Sequence, residues 1–383
     1  MNTLLRPLIL VVCAAVFSAC GSRPAFPGQT QSTEREQLVP GETAPPAEPG
    51  SKGFGSPLST SQNRPTLASQ PVPEVKTVSL DDLNMSDPFI LPDEATRKYY
   101  LTSSGGRIYT SSDLRMWTGP YPAFDVKGTW MEGARGVAAA ELHQINGKYY
   151  YVGTFRNGKE LVDVVPRRYN VYRSTSQVLA SEKPEGPYKL MNPDPDYGFL
   201  PRNWATLDGT LWYEGGTPYL VFVHEWVQAI DGTIEYVKLS PDLSSTISKP
   251  KCLFRASEAP WVLEMNGNKE TTYGMKLPGW VTDAPQLFRT KTGKLGMLWS
   301  SWGVYRYAQG VAYSVSGTID GPWIQEKESL KGDNSGHGML FTTFDGKRLL
   351  VIHHSEGDGP RKPQLYEIDD SGDKLVLGPR YNP

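Results

Sequence analysis

The fold of this chain is decided by one stretch, which runs Leu207-Asp208-Gly209-Thr210-Leu211-Trp212-Tyr213-Glu214-Gly215-Gly216-Thr217-Pro218-Tyr219-Leu220-Val221-Phe222-Val223-His224-Glu225-Trp226. Two runs rich in aromatic and β-branched residues flank the glycine pair Gly215-Gly216, which is typical of a β-hairpin. The two outer ends of a hairpin meet at the same edge, so Asp208 and Glu225 are expected to lie close together. The stretch predicts one blade of a repeated all-β fold whose acidic ends converge on a site.

Four more copies of this hairpin pattern occur along the chain. Their predicted turns lie at Pro92-Asp93, Asn146-Gly147, Thr292-Gly293 and Asp345-Gly346. The copies start about 50 to 75 residues apart, the spacing of supersecondary repeats rather than of separate domains. Further strand pairs follow the hairpins, for example around residues 234–237 and 310–314. Four strands in each of five units predict an all-β, five-bladed β-propeller.

Composition narrows the class of protein. The 383 residues carry a formal net charge of −2, and basic residues are scattered, which argues against a nucleic-acid-binding protein. The chain is rich in glycine (38), proline (32) and tyrosine (20), as expected for short strands separated by turns. We expect a monomer that requires no cofactor.

The N-terminal residues have the pattern of a targeting signal. Arg6 precedes the apolar run Leu8 to Phe17, and Ser18-Ala19 form a small-residue cleavage site directly before Cys20. This arrangement resembles a bacterial lipoprotein signal, with Cys20 as the lipidated residue. We therefore predict a signal peptide (1–19), a disordered tether rich in Pro, Ser and Gln (20–78) and the propeller (79–383).

That signal predicts export and a membrane contact made only through the lipid anchor, at the outer membrane or cell surface. A periplasmic or secreted protein is the alternative. Several acyl chains on one cysteine give the stable anchoring that a single chain does not.

The five copies place chemically active side chains at their first positions. These are Asp87, Glu141, Asp208, Asp283 and His337. Carboxylates crowded in a cleft raise each other's pKa, which keeps one protonated while another stays ionised. Glycoside hydrolysis uses such a pair, an acid that protonates the leaving oxygen and a base that activates water. The pattern therefore predicts a carbohydrate-active site.

Five short motifs then resemble the ordered motifs of glycoside hydrolase family 43. They are Asp87-Pro88-Phe89, Leu207-Asp208-Gly209-Thr210-Leu211, His224-Glu225-Trp226, Gly279-Trp280-Val281-Thr282-Asp283-Ala284-Pro285 and Gly336-His337-Gly338. The resemblance covers about residues 86–378. It implies a five-bladed propeller that hydrolyses arabinosyl, xylosyl or galactosyl linkages of plant-type polysaccharides or oligosaccharides with inversion of configuration.

The resemblance also implies roles. Asp87 matches the general base, and Asp208 matches the carboxylate that orients the acid and tunes its pKa. Asp283 stands where the general acid of the family normally lies. His337 matches the channel histidine near which many members hold a calcium ion, so a structural calcium ion could lie in the channel. Inversion implies a base and an acid about 6.5–9.5 Å apart.

Two departures from the family pattern leave alternatives open. The usual acid is a glutamate followed by Gly-Pro, whereas this chain has Asp283 followed by Ala-Pro, and the shorter side chain reaches about 1.5 Å less far. Glu225 could act as the acid instead. The second departure is the run Ala138 to Ala140, where the family commonly has Trp-Ala-Pro. Glu141, which follows it, is expected to contact a substrate hydroxyl group.

Three tryptophans flank the acidic positions and are candidate platforms for sugar rings: Trp226, Trp280 and Trp302. The adjacent pair His353-His354 lies on one strand, so at most one of the two can face the channel. Two other functions stay open: a non-catalytic glycan-binding propeller with a degenerate site, and a related fructan-active enzyme with retaining chemistry.

Overall fold

The computed structural model describes residues 66–71, 73–165, 169–191, 199–265, 279–304 and 306–383. Cys20 and the predicted signal and tether up to residue 65 lie outside the described residues. The described chain forms five sheets in sequence order, and these are antiparallel except for one short parallel pair at the outer edge of the second sheet. This arrangement confirms the predicted five-bladed β-propeller.

Blades 1 and 2 have five strands each. From the inner to the outer edge, blade 1 contains β2 (Phe89–Asp93), β3 (Lys98–Thr102), β4 (Arg107–Ser111), β5 (Met116–Pro122) and β1 (Lys76–Ser79), and blade 2 contains β7 (Val137–Ile145), β8 (Lys148–Val165), β9 (Tyr169–Ser181), β10 (Tyr188–Leu190) and β6 (Phe124–Asp125).

Blades 3 to 5 have four strands each, which follow one another directly in sequence. Blade 3 contains β11 (Thr206–Glu214), β12 (Thr217–His224), β13 (Thr233–Lys238) and β14 (Lys251–Arg255); blade 4 contains β15 (Asp283–Arg289), β16 (Leu295–Gly303), β17 (Arg306–Ser314) and β18 (Trp323–Gln325); blade 5 contains β19 (Ser335–Thr342), β20 (Arg348–His354), β21 (Lys362–Asp369) and β22 (Val376–Tyr381).

Helices are short and lie between strands. The α-helix α1 (Trp226–Ala229) follows β12, and 3-10 turns lie at Leu67–Ser69, Leu80–Asp82, Trp130–Gly133 and Ala256–Glu258. In the part of the chain that the structure describes, no helix has the length and apolar character needed to cross a bilayer.

The folded part begins earlier than the sequence suggested. Strand β1 (Lys76–Ser79) lies within the predicted tether, yet it pairs antiparallel with β5, from Lys76 opposite Gly119 to Ser79 opposite Met116. The Leu67 backbone N–H donates to the Ala134 carbonyl oxygen at 2.8 Å, which ties a still earlier segment to blade 2. Few apolar residues occur between residues 21 and 77, so composition did not reveal this edge strand.

The first predicted turn is also displaced. Pro92 and Asp93 belong to β2, and the turn comprises residues 94–97. The Asp93 carboxylate accepts hydrogen bonds from the Thr96 backbone N–H at 2.8 Å and from the Thr96 hydroxyl at 2.7 Å. Asp93 therefore caps the turn from the end of the strand, as Asp side chains commonly do.

The core lies between neighbouring blades. Trp117 and Trp299 are fully buried, and each indole N–H donates to a local acceptor, the Leu114 carbonyl oxygen (2.8 Å) or the Gln325 side-chain oxygen (2.9 Å). Blades 1 and 5 contact each other where the ring closes. The Met85 backbone N–H donates to the Arg361 carbonyl oxygen at 2.9 Å, and the Lys362 ammonium group donates to the Asp81 carbonyl oxygen at 2.6 Å.

One hairpin extends beyond its blade. Strands β8 and β9 remain paired from Arg156 opposite Ser174 to Val165 opposite Tyr169, beyond the point where β7 begins. We call residues 156–165 and 169–173 the arm. Its Val171 packs with Trp226 and Val227 of α1 in an apolar cluster, and the Gln228 amide donates to the Asp163 carboxylate at 2.9 Å. The arm therefore lies beside the same end of the propeller as the outer ends of the hairpins.

Candidate active site

The inner strands share a local irregularity at this end of the ring. In blades 2 to 5 the register shifts near the start of the inner strand, and one residue there has a positive φ: Ala139 (46°), Asp208 (50°), Ala284 (53°) and His337 (54°). Asp87, two residues before β2, has a φ of 60°. We call these five positions the bulge positions. A positive φ costs a non-glycine residue on the order of 1 kcal/mol. Because it recurs in all five blades, we infer that the site requires this backbone conformation.

The bulge positions correct the predicted equivalence of the five repeats. In blade 2 the equivalent residue is Ala139, and Glu141 lies two positions later. In blade 4 it is Ala284, and Asp283 lies one position earlier. Only three of the five bulge positions therefore carry a functional side chain, and those are Asp87, Asp208 and His337.

Each bulge backbone N–H donates to a side chain of the preceding blade. Around the ring, the donor and acceptor pairs are Asp87 to His353 Nδ1 (3.1 Å), Ala139 to Ser104 Oγ (3.1 Å), Asp208 to Thr154 Oγ1 (2.8 Å), Ala284 to Asp208 Oδ2 (3.1 Å) and His337 to Ser300 Oγ (2.8 Å). These bonds satisfy buried donors and hold the strained backbone. Four acceptors come from the second strand of a blade or the residues just after it, whereas Asp208 performs this role with its own carboxylate.

Asp87 lies among cationic and hydrogen-bonding groups. Its Oδ1 atom is 3.2 Å from His337 Nδ1 and 3.9 Å from Arg361 Nη1, and the Ser104 hydroxyl donates to Oδ2. Burial by itself would raise the pKa of Asp87, but the attraction of His337 and Arg361 outweighs it, so the pKa lies well below its ordinary value. Asp87 is therefore ionised at neutral pH.

His353 contributes to this environment as a neutral ring. Its Nδ1 atom accepts the Asp87 backbone N–H, so that nitrogen carries no proton, and its 3.4 Å approach to Asp87 Oδ1 is not a hydrogen bond. Burial lowers the pKa of His353 to about 4. We therefore assign the low pKa of Asp87 mainly to His337 and Arg361. His354, the next residue, bonds to Ser335 instead, so only one histidine of the pair faces the site, as predicted.

Asp208 and Asp283 form a coupled pair on blades 3 and 4. Burial, followed by the charge of Asp283 and a hydrogen bond with it, raises the pKa of Asp208 well above its ordinary value. The pair therefore holds a shared proton. The Tyr307 hydroxyl donates to Asp283 Oδ2 at 2.8 Å, and burial raises the pKa of Tyr307, which keeps it a donor. Both carboxyl groups are thus engaged with protein partners.

Glu225 has a different environment. It follows β12 and directly precedes α1, is 6% exposed, and its Oε2 atom is buried without a hydrogen-bond partner among the described residues. Burial raises the pKa of Glu225 to about 7; the positive charge of Arg156 opposes this shift and the negative charge of Asp283 adds to it. Glu225 therefore keeps its proton up to near neutral pH, and its Oε2 atom forms no hydrogen bond with any described residue.

The structure places the remaining candidate residues as follows. Glu141 is 3% exposed and its Oε2 atom lies 2.7 Å from His143 Nε2, so this carboxyl group already has a protein partner. Trp226 is 7% exposed and packs against Gly279, where a Cβ atom would lie 2.7 Å from the indole ring. Trp280 and Trp302 are partly buried, and Trp302 packs edge-on against Tyr307 with ring centroids 5.7 Å apart. Of the three tryptophans, Trp280 and Trp302 keep exposed surface for a sugar ring.

Sequence reasoning missed several residues of the site, namely Ser104, Thr154, Arg156, Tyr307 and Arg361. Ser104, Thr154 and Ser300 recur where the second strand of a blade reaches the site, so aligning those strands would have revealed a repeated hydroxyl. Tyr307 lies on the third strand of blade 4 and Arg361 directly precedes the third strand of blade 5, and these segments carry no such repeat. A cleft of about 310 Å³ lies beside Asp87 and is lined by Asn84, Met85, Ser86, Ser104 and Arg361.

The predicted calcium ion does not fit the residues around His337. Calcium takes six to eight oxygen ligands. His337 instead presents its Nδ1 atom to Asp87 at 3.2 Å and to Asp208 at 4.0 Å. Within the described ranges, no group of three or more His, Cys, Asp or Glu side chains is placed to hold a metal ion. We derive no step through a metal.

An ionised carboxylate beside protonated carboxyl groups, at one end of a five-bladed propeller, is the arrangement of an acid/base glycosyl hydrolase. The chain belongs to the glycosyl hydrolases family 43, whose family model matches residues 82–369. No curated protein matches the chain.

Solved structures of this class are similar to the chain. An endo-arabinase from Bacteroides thetaiotaomicron VPI-5482 shares 32% sequence identity, over 80% of this chain and 97% of that one, with a TM-score of 0.64. An endo-1,4-beta-xylanase from the same organism shares 21% identity over 81% and 100% of the two chains, with a TM-score of 0.56. An exo-1,5-alpha-L-arabinanase from a bovine ruminal metagenomic library shares 20% identity over 78% and 98%, with a TM-score of 0.54.

Proposed function

We propose that this glycosyl hydrolase cleaves arabinosyl linkages of plant polysaccharides by a single inverting displacement. The observation that carries the mechanism is the contrast between two buried carboxyl groups. Asp87 is held ionised by His337 and Arg361, whereas Glu225 is held protonated in a site without a partner for Oε2. The arabinosyl preference is supported by the 32% identity to an endo-arabinase.

Each carboxyl group then has one task. Asp87 takes a proton from water, whose oxygen attacks the anomeric carbon as the bond to the leaving oxygen breaks. Glu225 gives its proton to that leaving oxygen. Burial keeps the proton on Glu225, and the negative charge of Asp283, which shares a proton with Asp208 and accepts from Tyr307, adds to this effect. The Ser104 hydroxyl donates to Asp87 Oδ2 and thereby fixes the orientation of the proposed base.

Glu225 is our choice of acid over Asp283 for a geometric reason. A general acid must reach the leaving oxygen with a protonated atom that is not already engaged. Asp283 accepts from Tyr307 and bonds to Asp208, while Oε2 of Glu225 has no partner in the described part of the chain. Asp283 thus acts on Glu225 as a neighbouring charge.

The experiment compares Glu225→Gln with Asp283→Asn in the full chain. Substrates are linear α-1,5-linked arabinan, xylan, and aryl arabinofuranosides with poor and good leaving groups; proton NMR records the anomer released. We expect arabinan cleavage with inversion. Glu225→Gln should lose about 10²–10⁴-fold on arabinan and on poor leaving groups, yet retain most activity where the leaving group needs no protonation.

The same leaving-group pattern in Asp283→Asn, with normal behaviour of Glu225→Gln, would assign the acid to Asp283. A retained anomeric configuration would support the fructan-type chemistry instead. Binding of arabino-oligosaccharides without turnover of any substrate would make the protein a glycan-binding propeller.

We also propose that the protein is exported and anchored through lipid on Cys20, on the basis of the N-terminal signal alone. Expression in a bacterial host with labelled palmitate should label the wild-type protein and leave Cys20→Ser unlabelled. Equal labelling, or equal recovery of both proteins in the soluble fraction, would remove the anchor from this proposal.

A further inference from the structure

Arg156 occupies an unusual position at the junction of blade 2 and the arm. It follows Thr154 and Phe155 on β8, and alternate residues of a strand point to the same face. Thr154 accepts the Asp208 backbone N–H, whereas Phe155 packs in the core against Phe124 and Trp130. Arg156 therefore lies on the same face of β8 as Thr154, which contacts Asp208, and two residues further along the strand towards the arm.

Contacts between neighbouring strands place the part of β8 around Arg156 beside Glu225. Arg156 pairs with Ser174, whose carbonyl oxygen accepts the Thr206 hydroxyl of blade 3 at 3.4 Å. Thr206 pairs in turn with His224, the residue before Glu225. The charge of Arg156 acts on Glu225 strongly enough to oppose the effect of burial. Arg156 thus lies at the proposed catalytic acid.

The guanidinium group of Arg156 has no hydrogen-bond acceptor among the described residues. Its Nε atom is buried, and no side-chain hydrogen bond or ion pair joins it to any residue in the described ranges. The nearby arginine Arg173 contrasts with it, because Arg173 binds Glu160 at 3.1 Å and stacks on the Trp130 ring. A partly buried cation without an acceptor is costly. Glu225 offers no full compensation while it carries its proton.

We propose that Arg156 binds a carboxylate on the substrate, so that the enzyme acts on arabinosyl linkages next to a uronosyl residue. This inference rests on the proposed function. A planar guanidinium with five donors matches a carboxylate through two parallel hydrogen bonds, and such charge-assisted pairs are among the strongest in proteins. The carboxylate supplies the negative charge and the acceptors that the protein does not provide at this position.

The test uses paired substrates that differ only in charge. Arabino-oligosaccharides carrying a uronosyl residue are compared with the same compounds after chemical reduction of the carboxyl group to a primary alcohol. The full-length wild type, Arg156→Gln and Arg156→Lys are assayed. Arg289→Gln is the matched control, because Arg289 forms an ion pair with Glu214 at the opposite end of its strand from Asp283. Melting temperatures confirm folding of each variant.

We expect the wild type to prefer the acidic substrate by 10-fold or more in kcat/KM, with a preference that falls as salt is added. Arg156→Gln should lose this preference, so that its kcat/KM values on the acidic and the reduced substrate become equal within about 3-fold. Arg156→Lys should recover only part of the preference, because an ammonium group lacks the planar geometry of the guanidinium group. The control should match the wild type on both substrates.

Equal activity of the wild type on both substrates would overturn the proposal, as would an equal loss on both in Arg156→Gln. The second result would leave the substrate preference unchanged and would make Arg156 a positioning residue that acts through Glu225. Absence of arabinosyl hydrolysis on the neutral substrate as well would instead count against the proposed function. Binding of free glucuronate by the wild type but not by Arg156→Gln would still support the carboxylate site in that case.

Discussion

Blades 2 and 3 have the same backbone conformation at their bulge positions but carry different side chains there. Ala139 and Asp208 have φ values of 46° and 50°, and each donates its N–H to a hydroxyl of the preceding blade, Ser104 or Thr154. Blade 3 places a carboxylate there, whereas blade 2 places a methyl group. The ring therefore provides five equivalent positions, and the chemistry depends on which are occupied. Blade 2 contributes its functional group, Arg156, from the next strand.

Removing an occupied bulge side chain should have the largest effect. Asp87→Ala removes the proposed base, and kcat on arabinan should fall by about 10²–10⁴-fold because water is no longer activated. Ala139→Ser at the unoccupied position of blade 2 should change kcat by less than about 3-fold. Initial rates with both purified variants check this contrast. A comparable loss in Ala139→Ser would show that the two positions are not functionally different.

Glu225 should make stability depend on pH. Its pKa is raised from 4.5 to about 7 in the folded protein, so the folded state holds the proton more tightly than the unfolded state. Stability is then lost as pH rises from about 4.5 through 7, by about 3 kcal/mol. Glu225→Gln removes this loss, so its melting temperature should exceed that of the wild type at pH 8 but not at pH 4. A constant difference across this range would contradict the buried, protonated Glu225.

The same group should shape the pH dependence of catalysis. As Glu225 loses its proton, kcat/KM for arabinan should fall above about pH 7. On an aryl substrate with a good leaving group, Glu225→Gln should show no such alkaline limb. Persistence of the limb in that variant would assign it to another residue.

The hydrogen bonds between blades should have smaller effects. Thr154→Val keeps the shape of the side chain but leaves the Asp208 N–H without its acceptor, at a cost of about 1–3 kcal/mol. Thermal unfolding should detect a lower melting temperature. Thr77→Val, which alters an exposed pair with Thr118, is the control and should change stability by less than about 0.5 kcal/mol. Equal melting temperatures would mean that water replaces the lost bond.

The sequence predicted the fold well because its signals are local. Glycine turns such as Gly215-Gly216, alternating apolar strands and their recurrence were enough for five blades. The exact equivalence of bulge positions was not predicted, since an acidic side chain one or two residues away, as in Asp283 or Glu141, looks the same in a repeat pattern. Only the φ angle and register distinguish them.

Other parts of the site depend on contacts between distant segments. Arg361 reaches Asp87, and Tyr307 reaches Asp283, from the start of the third strand of a blade or the residue just before it, where the sequence carries no repeated polar position. Nothing local distinguishes Arg156 from the neighbouring Arg173 either. Their difference arises from Glu160, which pairs with one and not the other. The state of each carboxyl group likewise depends on burial and on neighbouring charges, which emerge only in the assembled ring.

The closure of the ring has a consequence for how activity arises during synthesis. Asp87 belongs to the first blade, but the groups that keep it ionised, His337 and Arg361, belong to the last. A nascent chain that has completed four blades therefore holds its base in a non-functional environment. Hydrolytic activity begins only when the final blade docks on the first, so turnover is itself a reporter of complete assembly, and a C-terminally truncated chain would be inactive even with every proposed acid and base present.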